Sequence, residues 1–130
     1  MTIRKRVPAG TKLGDVYGYS RAIKSKGIIM VSGTTALDEE GKVVGKDDMY
    51  SQTVVIIKKI EAALGQLGAT LSDVVRTRVY ARDISRWREI ARAHREFFGA
   101  VKPTSTLVEV QKLIEPEALV EIEAEAIIEN

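Results

Sequence analysis

Residues 49 to 67 carry the clearest periodic pattern in the chain. Tyr50, Thr53, Ile57, Ile60, Leu64 and Leu67 recur at spacings of three and four, which draws one apolar stripe along a helix. Asp47 or Asp48 can cap its start, and Gly68 can close its end in the left-handed conformation. A second helix is predicted after Asp83, which can cap it. Its stripe is Ile84, Trp87, Ala91, His94 and Phe98, with Ile90 and Phe97 beside it, and Pro103 follows where the chain must leave the helix.

Elsewhere the pattern has period two or is a short apolar run. Ile3 to Val7, Tyr19 to Ile23 and Gly27 to Thr34 read as three strands. The third, Gly-Ile-Ile-Met-Val-Ser-Gly-Thr, is β-branched and apolar, which predicts burial on both faces. Asp38-Glu39-Glu40-Gly41 is a turn signal, and residues 42–45 run extended after it. Val74 to Ala81 alternates, with Arg76, Arg78 and Tyr80 on one face and Val75, Thr77, Val79 and Ala81 on the other. Ser105 to Val110 and Leu119 to Ile128 are the last strands. In the final one Val120, Ile122, Ala124 and Ala126 oppose Glu121, Glu123 and Glu125.

The resulting order is β-β-β-α-β-α-β-β. Two amphipathic helices can cover one face of a mixed sheet, a two-layer α+β sandwich. The other face would carry Arg76, Arg78 and the three glutamates, mixed with Leu119, Tyr80 and Leu107. That mixture is too charged for a dry core and too apolar for plain solvent. It reads as a subunit interface with arginine and glutamate paired across neighbouring strands.

Composition narrows the class. A chain of 130 residues, 45% apolar and 29% charged, suits one soluble domain over 1–130. No apolar run approaches the ~18 residues that span a bilayer, and the basic start has no apolar segment behind it, so neither membrane nor secretion is expected. There is no cysteine, which removes disulfides, thiolate metal sites and cysteine nucleophiles and fits a cytoplasmic home. The net charge of +2 is spread along the chain, without the clustered basic face of a nucleic-acid binder.

Few residues carry candidate chemistry. Glu121, Glu123 and Glu125 stand roughly 6.5–7 Å apart along one strand face. Ion pairing with the strand arginines accounts for them better than a metal site does. His94 is the only histidine, which excludes a multi-histidine centre; its place on an apolar stripe favours a packed or interface role over that of a general base. Gly10-Thr-Lys-Leu-Gly14 lacks the spacing of a phosphate loop, and no cofactor is expected. Ser32-Gly33, at the end of an apolar strand, can present backbone N–H groups to an anion. Tyr19 lies at a strand start, where its hydroxyl can orient a carboxylate or a water, or serve the structure alone.

Taken in order, several segments resemble one known family. Gly18-Tyr19-Ser20-Arg21-Ala22-Ile23 is similar to a Gly-Pro-Tyr-Ser-Gln-Ala-Ile motif, with Tyr17-Gly18 at its first two positions. Ile28 to Gly33 resembles its apolar strand ending in Ser-Gly, and Asp73 to Asp83 its central strand. Phe97-Phe98, Pro103, Val108-Glu109-Val110 and Glu121 to Ala124 complete the series. The family is YjgF, also called Rid, for reactive intermediate deaminase. The resemblance covers about nine-tenths of the chain.

This resemblance implies a chorismate-mutase-like fold and a homotrimer, its sheets forming a barrel and small-molecule clefts lying between subunits. It also implies that Tyr19 and Glu121 occupy the places of a cleft tyrosine and a catalytic glutamate, the glutamate holding the water that attacks an imine. Ser32, Gly33, Thr104, Ser105, Thr106, His94 and Arg78 would line the cleft. The family's Pro-Ala-Arg-Ser, whose arginine clamps the substrate carboxylate, reads Pro103-Thr104-Ser105-Thr106 here. Ala91 stands where the family has an asparagine, and His94 where an aromatic residue is usual. A serine supplies neither the charge nor the bidentate fork. The first expectation is therefore a cleft that binds a small metabolite without the usual 2-imino-acid deaminase activity. The alternatives are an active imine or enamine deaminase in which another group, such as Arg21 or Arg78, supplies the positive charge, and a non-enzymatic regulatory or partner-binding trimer. Ribonuclease chemistry finds no histidine pair or basic groove.

Overall fold

A computed structural model describes residues 3–129. The elements are β1 (Lys5–Pro8), α1 (Lys12–Tyr17), β2 (Ser20–Ser25), β3 (Ile28–Thr34), α2 (Met49–Gln66), β4 (Val74–Ala81), α3 (Trp87–Phe98), β5 (Thr104–Glu109) and β6 (Val120–Ile127). The six strands form one sheet in the order β1-β2-β3-β6-β4-β5. Every pairing is antiparallel except β4 with β5. That parallel pair needs a crossover, which α3 supplies. The α+β, mixed-sheet expectation holds, with one short helix added.

Helix α2 forms where its stripe predicts. Asp48 caps it by accepting a hydrogen bond from the Ser51 N–H at 2.9 Å. At the other end Gly68 is left-handed (φ 80°), and two backbone bonds, Ala69 N to Leu64 O at 2.9 Å and Gly68 N to Gly65 O at 3.2 Å, close the last turn. Ile56, Ile57, Ile60 and Leu64 are fully buried against the sheet. Each such side chain stabilises the fold by about 1.5–3 kcal/mol. Between them the buried Gln52 amide ties loops together. It donates to the carbonyls of Gly45 and Glu117, each at 3.1 Å, and accepts from the Leu119 N–H at 2.8 Å.

Several expectations need correction. The pattern did not predict α1, a helix with no buried residue and so no apolar stripe to reveal it. The first strand runs Lys5–Pro8 rather than Ile3–Val7. Strand β3 is not buried on both faces: Ile29 and Val31 are inside, while Ile28 (47% exposed) and Met30 (57%) lie on the open face. Apolar composition cannot separate a doubly covered strand from one whose outer face is merely apolar. A bulge between Val74 and Arg76 turns Val74 inward and leaves Val75 exposed. Asp83 caps a 3₁₀ turn, Ile84–Arg86, that leads into α3. The buried face of α3 is Ile90, Ala93 and Phe98, whereas Ile84 and Trp87 are exposed, Trp87 beneath the Arg88 guanidinium at 4.7 Å. Leu107 and Leu119 pack against the core instead of joining the open face, Leu107 beside Val79. Residues 42–45 contribute only one bridge, Val43 to Leu37. Among the described residues, no helix is long and apolar enough to cross a membrane.

Candidate functional site

The open sheet face begins with β6. Its register sets Glu125 opposite Arg76, Glu123 opposite Arg78 and Glu121 opposite Tyr80. Arg78 reaches Glu125 at 3.2 Å and Glu123 at 3.6 Å, and the Tyr80 hydroxyl donates to Glu123. The expected cross-strand pairing is thus present for two of the three glutamates. Among the described residues, no cluster of three metal-ligating side chains occurs.

Glu121 is different. It lies where the β3–β6 pairing shifts register between Val31 and Thr34, against the backbone of Gly33. A β-carbon on Gly33 would stand 2.6 Å from its Oε2, so only glycine leaves the carboxyl its place. Glu121 is half-buried, and its pKa is raised, first by burial and then by Glu115 and Glu123, with Arg21 opposing. A carboxyl in this setting can hold a proton and give it up again.

Two cations share the cleft with it. Arg21, on β2, donates through Nη1 to Thr34 Oγ1 at 3.1 Å and to the Gly33 carbonyl at 3.3 Å, and through Nη2 to the Tyr19 hydroxyl at 3.3 Å. Lys59, from α2, donates to the carbonyls of Thr35 at 2.9 Å and Leu37 at 3.1 Å. Burial, and then Arg21, lower its pKa. Thr35 donates in turn to Glu115 at 3.3 Å. The cleft has a volume of about 950 Å³, and Tyr19, Arg21, Gly33, Lys59, Glu115 and Glu121 are among its walls. Arg21 and Lys59 each retain donors beyond those bonds, enough to hold a small anion.

Within one chain the site residues expected from sequence fall into two groups. Tyr19, Gly33 and Glu121 converge on the cleft. Ser32 is adjacent, but its hydroxyl donates to the Ser20 carbonyl at 2.7 Å. Ser105, His94, Thr104, Thr106 and Arg78 are not among the walls of the cleft: Arg78 stands on β4 beside Glu123, and Ser105 and His94 lie with the buried Thr77 on the helix-covered side of the sheet. There the Thr77 hydroxyl donates to Ser105 Oγ at 2.8 Å and lies 2.9 Å from His94 Nε2. Thr104 donates to the Val75 carbonyl at 2.8 Å, and Thr106 sits exposed opposite Arg78. The His94 ring packs on Phe98 at 4.7 Å, in keeping with the packed role. Lys59, Glu115 and Thr77 were missed. Lys58-Lys59 reads as a solvated helix face, Glu115 lies in a loop without pattern, and Thr77 is one core position in an alternating strand.

A sheet covered by two helices, with a carboxyl and two cations at the rim where β3 meets β6, defines a two-layer α+β protein with a polar cleft. The profile of the endoribonuclease L-PSP family, the YjgF/Rid family, matches residues 10–128, and the chain belongs to that family. The crystal structure of Rv2704 from Mycobacterium tuberculosis, a member of the YjgF/YER057c/UK114 family, is similar at TM-score 0.88 and 45% identity, over 97% of this chain and 100% of that one. An uncharacterized Streptomyces coelicolor protein, SCO2049, is 34% identical over 125 residues, 94% of this chain and 90% of that protein. The 3-aminoacrylate deaminase RutC of Acinetobacter baylyi is 34% identical over 104 residues, 80% of this chain and 82% of that one.

Proposed function

We propose that this chain acts in the cytoplasm as a homotrimer whose clefts hydrolyse a small imine or enamine acid, releasing ammonia and the matching carbonyl compound. The observation that carries the reading is Glu121, a carboxyl of raised pKa sharing one cleft with Arg21 and Lys59. The two cations take the substrate carboxylate, the task that residue 105 performs in the family motif. Glu121 in its acid form protonates the enamine carbon, or the imine nitrogen. As the carboxylate it then takes a proton from the water that attacks the imine carbon. The carbon–nitrogen bond breaks, ammonia leaves, and a C=O group replaces C=N. The likeness to a 3-aminoacrylate deaminase supports the substrate class. The exposed Ile28, Met30, Val75 and Ile127 support the trimer, since such apolar side chains beside the Arg–Glu ladder suit burial by another subunit.

The test is hydrolysis of 2-iminobutyrate generated by a threonine dehydratase, with sedimentation to give the assembly. Turnover above the uncatalysed rate is expected, reduced in Arg21→Gln and Lys59→Gln. A rate equal to the uncatalysed one overturns the reading. Ser105 favours a second reading, in which the cleft holds a neutral ligand without deamination; a thermal shift with neutral metabolites but none with keto acids would select it.

A further inference from the structure

Lys58 and Lys59 are neighbours on α2 but meet different surroundings. Lys58 is exposed, while Lys59 is half-buried and forms part of the cleft wall. One turn earlier Val55 lines the same wall, so the amine stands beside apolar surface as well as near Arg21. Burial and then Arg21 lower the pKa of Lys59, against the opposing pull of Glu115 and Asp38, so it gives up its proton more readily than an ordinary lysine. A desolvated amine next to a second cation is a setting that makes lysine a nucleophile.

The hydrogen bonds agree. A neutral amine has two N–H bonds and one lone pair. The carbonyls of Thr35 at 2.9 Å and Leu37 at 3.1 Å can take both protons, which fixes Nζ at the wall and leaves the lone pair as its remaining direction. The same cleft supplies the other groups that carbonyl capture needs. Arg21 can hold a carboxylate. Glu121, a carboxyl that keeps its proton more tightly than usual, can act as the acid.

We propose that Lys59 captures the carbonyl carbon of a 2-oxo acid as a Schiff base, with Arg21 holding the carboxylate and Glu121 supplying the proton that releases water. The nitrogen lone pair forms the C–N bond, and the carbonyl oxygen becomes a hydroxyl with one proton from the amine. Glu121 protonates that hydroxyl, the C–O bond breaks and water leaves. The second amine proton then returns to the Glu121 carboxylate. One amine and one carbonyl give one C=N bond and one water, with no oxidant or reductant. The inference goes beyond the hydrolytic reading above, in which Lys59 acts only as a cation, and rests on that reading solely for the acid class of the ligand.

Trapping tests it. The parent protein is incubated with 2-oxobutanoate and sodium cyanoborohydride, digested, and mapped by mass spectrometry. Lys59 should gain the mass of one 2-oxobutanoate less one oxygen, at several-fold higher occupancy than Lys58, the exposed neighbour that serves as internal reference. Arg21→Gln should lower the labelling of Lys59 several-fold and leave that of Lys58 unchanged. Lys59→Arg keeps a cation in place and should lose the label. No label on Lys59, equal labelling of the two lysines, or labelling of Lys59 that ignores Arg21→Gln each overturns the proposal, and the parent result depends on no variant folding. Hydrolysis of 2-iminobutyrate without a label on Lys59 leaves the deaminase reading standing and this one fallen; a label without hydrolysis does the reverse.

Discussion

Glu121 and Glu125 lie four residues apart on the same face of the same strand, yet they have become different chemical groups. Glu125 is opposite Arg76 and ion-paired with Arg78 at 3.2 Å, in the regular part of the sheet. Glu121 sits at the shifted end of the β3–β6 pairing, against a glycine, near Glu115 and Glu123. Regular pairing supplies each carboxylate with a cation from the next strand. Where the register slips, burial and then the nearby Glu115 and Glu123 outweigh the opposing Arg21, and the proton is held more tightly. The contrast shows how one β-strand can carry ion-paired carboxylates along its length and a carboxyl of raised pKa at its end.

The largest expected effect comes from replacing the two glutamates in parallel. Glu121→Gln should lower turnover of 2-iminobutyrate by ~10²–10⁴-fold, the usual worth of a general acid–base, whereas Glu125→Gln should leave turnover near the parent value. The pH dependence should also separate them. A carboxyl whose folded pKa is raised above the usual 4.5 makes the native state the tighter proton binder, so its contribution to stability declines as pH rises through that folded value. At neutral pH Glu121→Gln should therefore melt no lower than the parent. A clear drop in melting temperature would show that Glu121 is a structural ion after all.

Gly33→Ala probes the same site from the backbone side. The added methyl would meet Oε2 at 2.6 Å, so the carboxyl must move. Displacement by about 1 Å can cost up to ~10²-fold in rate. Unchanged turnover would mean that the position of Glu121 against Gly33 does not matter to the chemistry.

On the paired side, Arg78→Met removes both ion pairs. The three side chains are about one-third exposed, so each pair should contribute only ~0.2–1 kcal/mol in the isolated chain. A loss far larger than that, combined with dissociation in sedimentation, would show that the ladder holds subunits together. The smallest effect concerns His94. Because burial lowers its pKa below the usual 6.5, the unfolded chain takes up the proton first, and stability falls as pH drops through that range. The parent's melting temperature should decline more between pH 7 and pH 5 than that of His94→Phe. The difference between the two isolates His94 from Glu121, whose contribution runs the other way.

Local pattern was enough for much of this fold. The three-and-four spacing of α2, the Asp48 cap, the left-handed Gly68, the alternation of β6 and that of β4 beyond its bulge at Val75 each depend on residues close together in the chain, and each stands as read. α1 escaped because a helix that buries nothing leaves no stripe. β3 and α3 were displaced because the composition of an element does not state which of its sides another element will cover. Of the candidate site, Tyr19, Gly33 and Glu121 were legible through their motifs. Lys59 and Glu115 were not, since nothing near either of them in the chain marks a cleft.

Element types, their order and the two-layer architecture follow from periodicity and capping, which act over a few residues. Which glutamate would be ion-paired and which would have its pKa raised was decided where β6 meets strands far from it in the chain, at a register shift with β3 about ninety residues away. The same holds for Thr77, which meets Ser105 and His94 only because α3 returns the chain to a parallel strand. Charge and hydrogen bonding act through space over a few ångströms, and folding alone sets those distances.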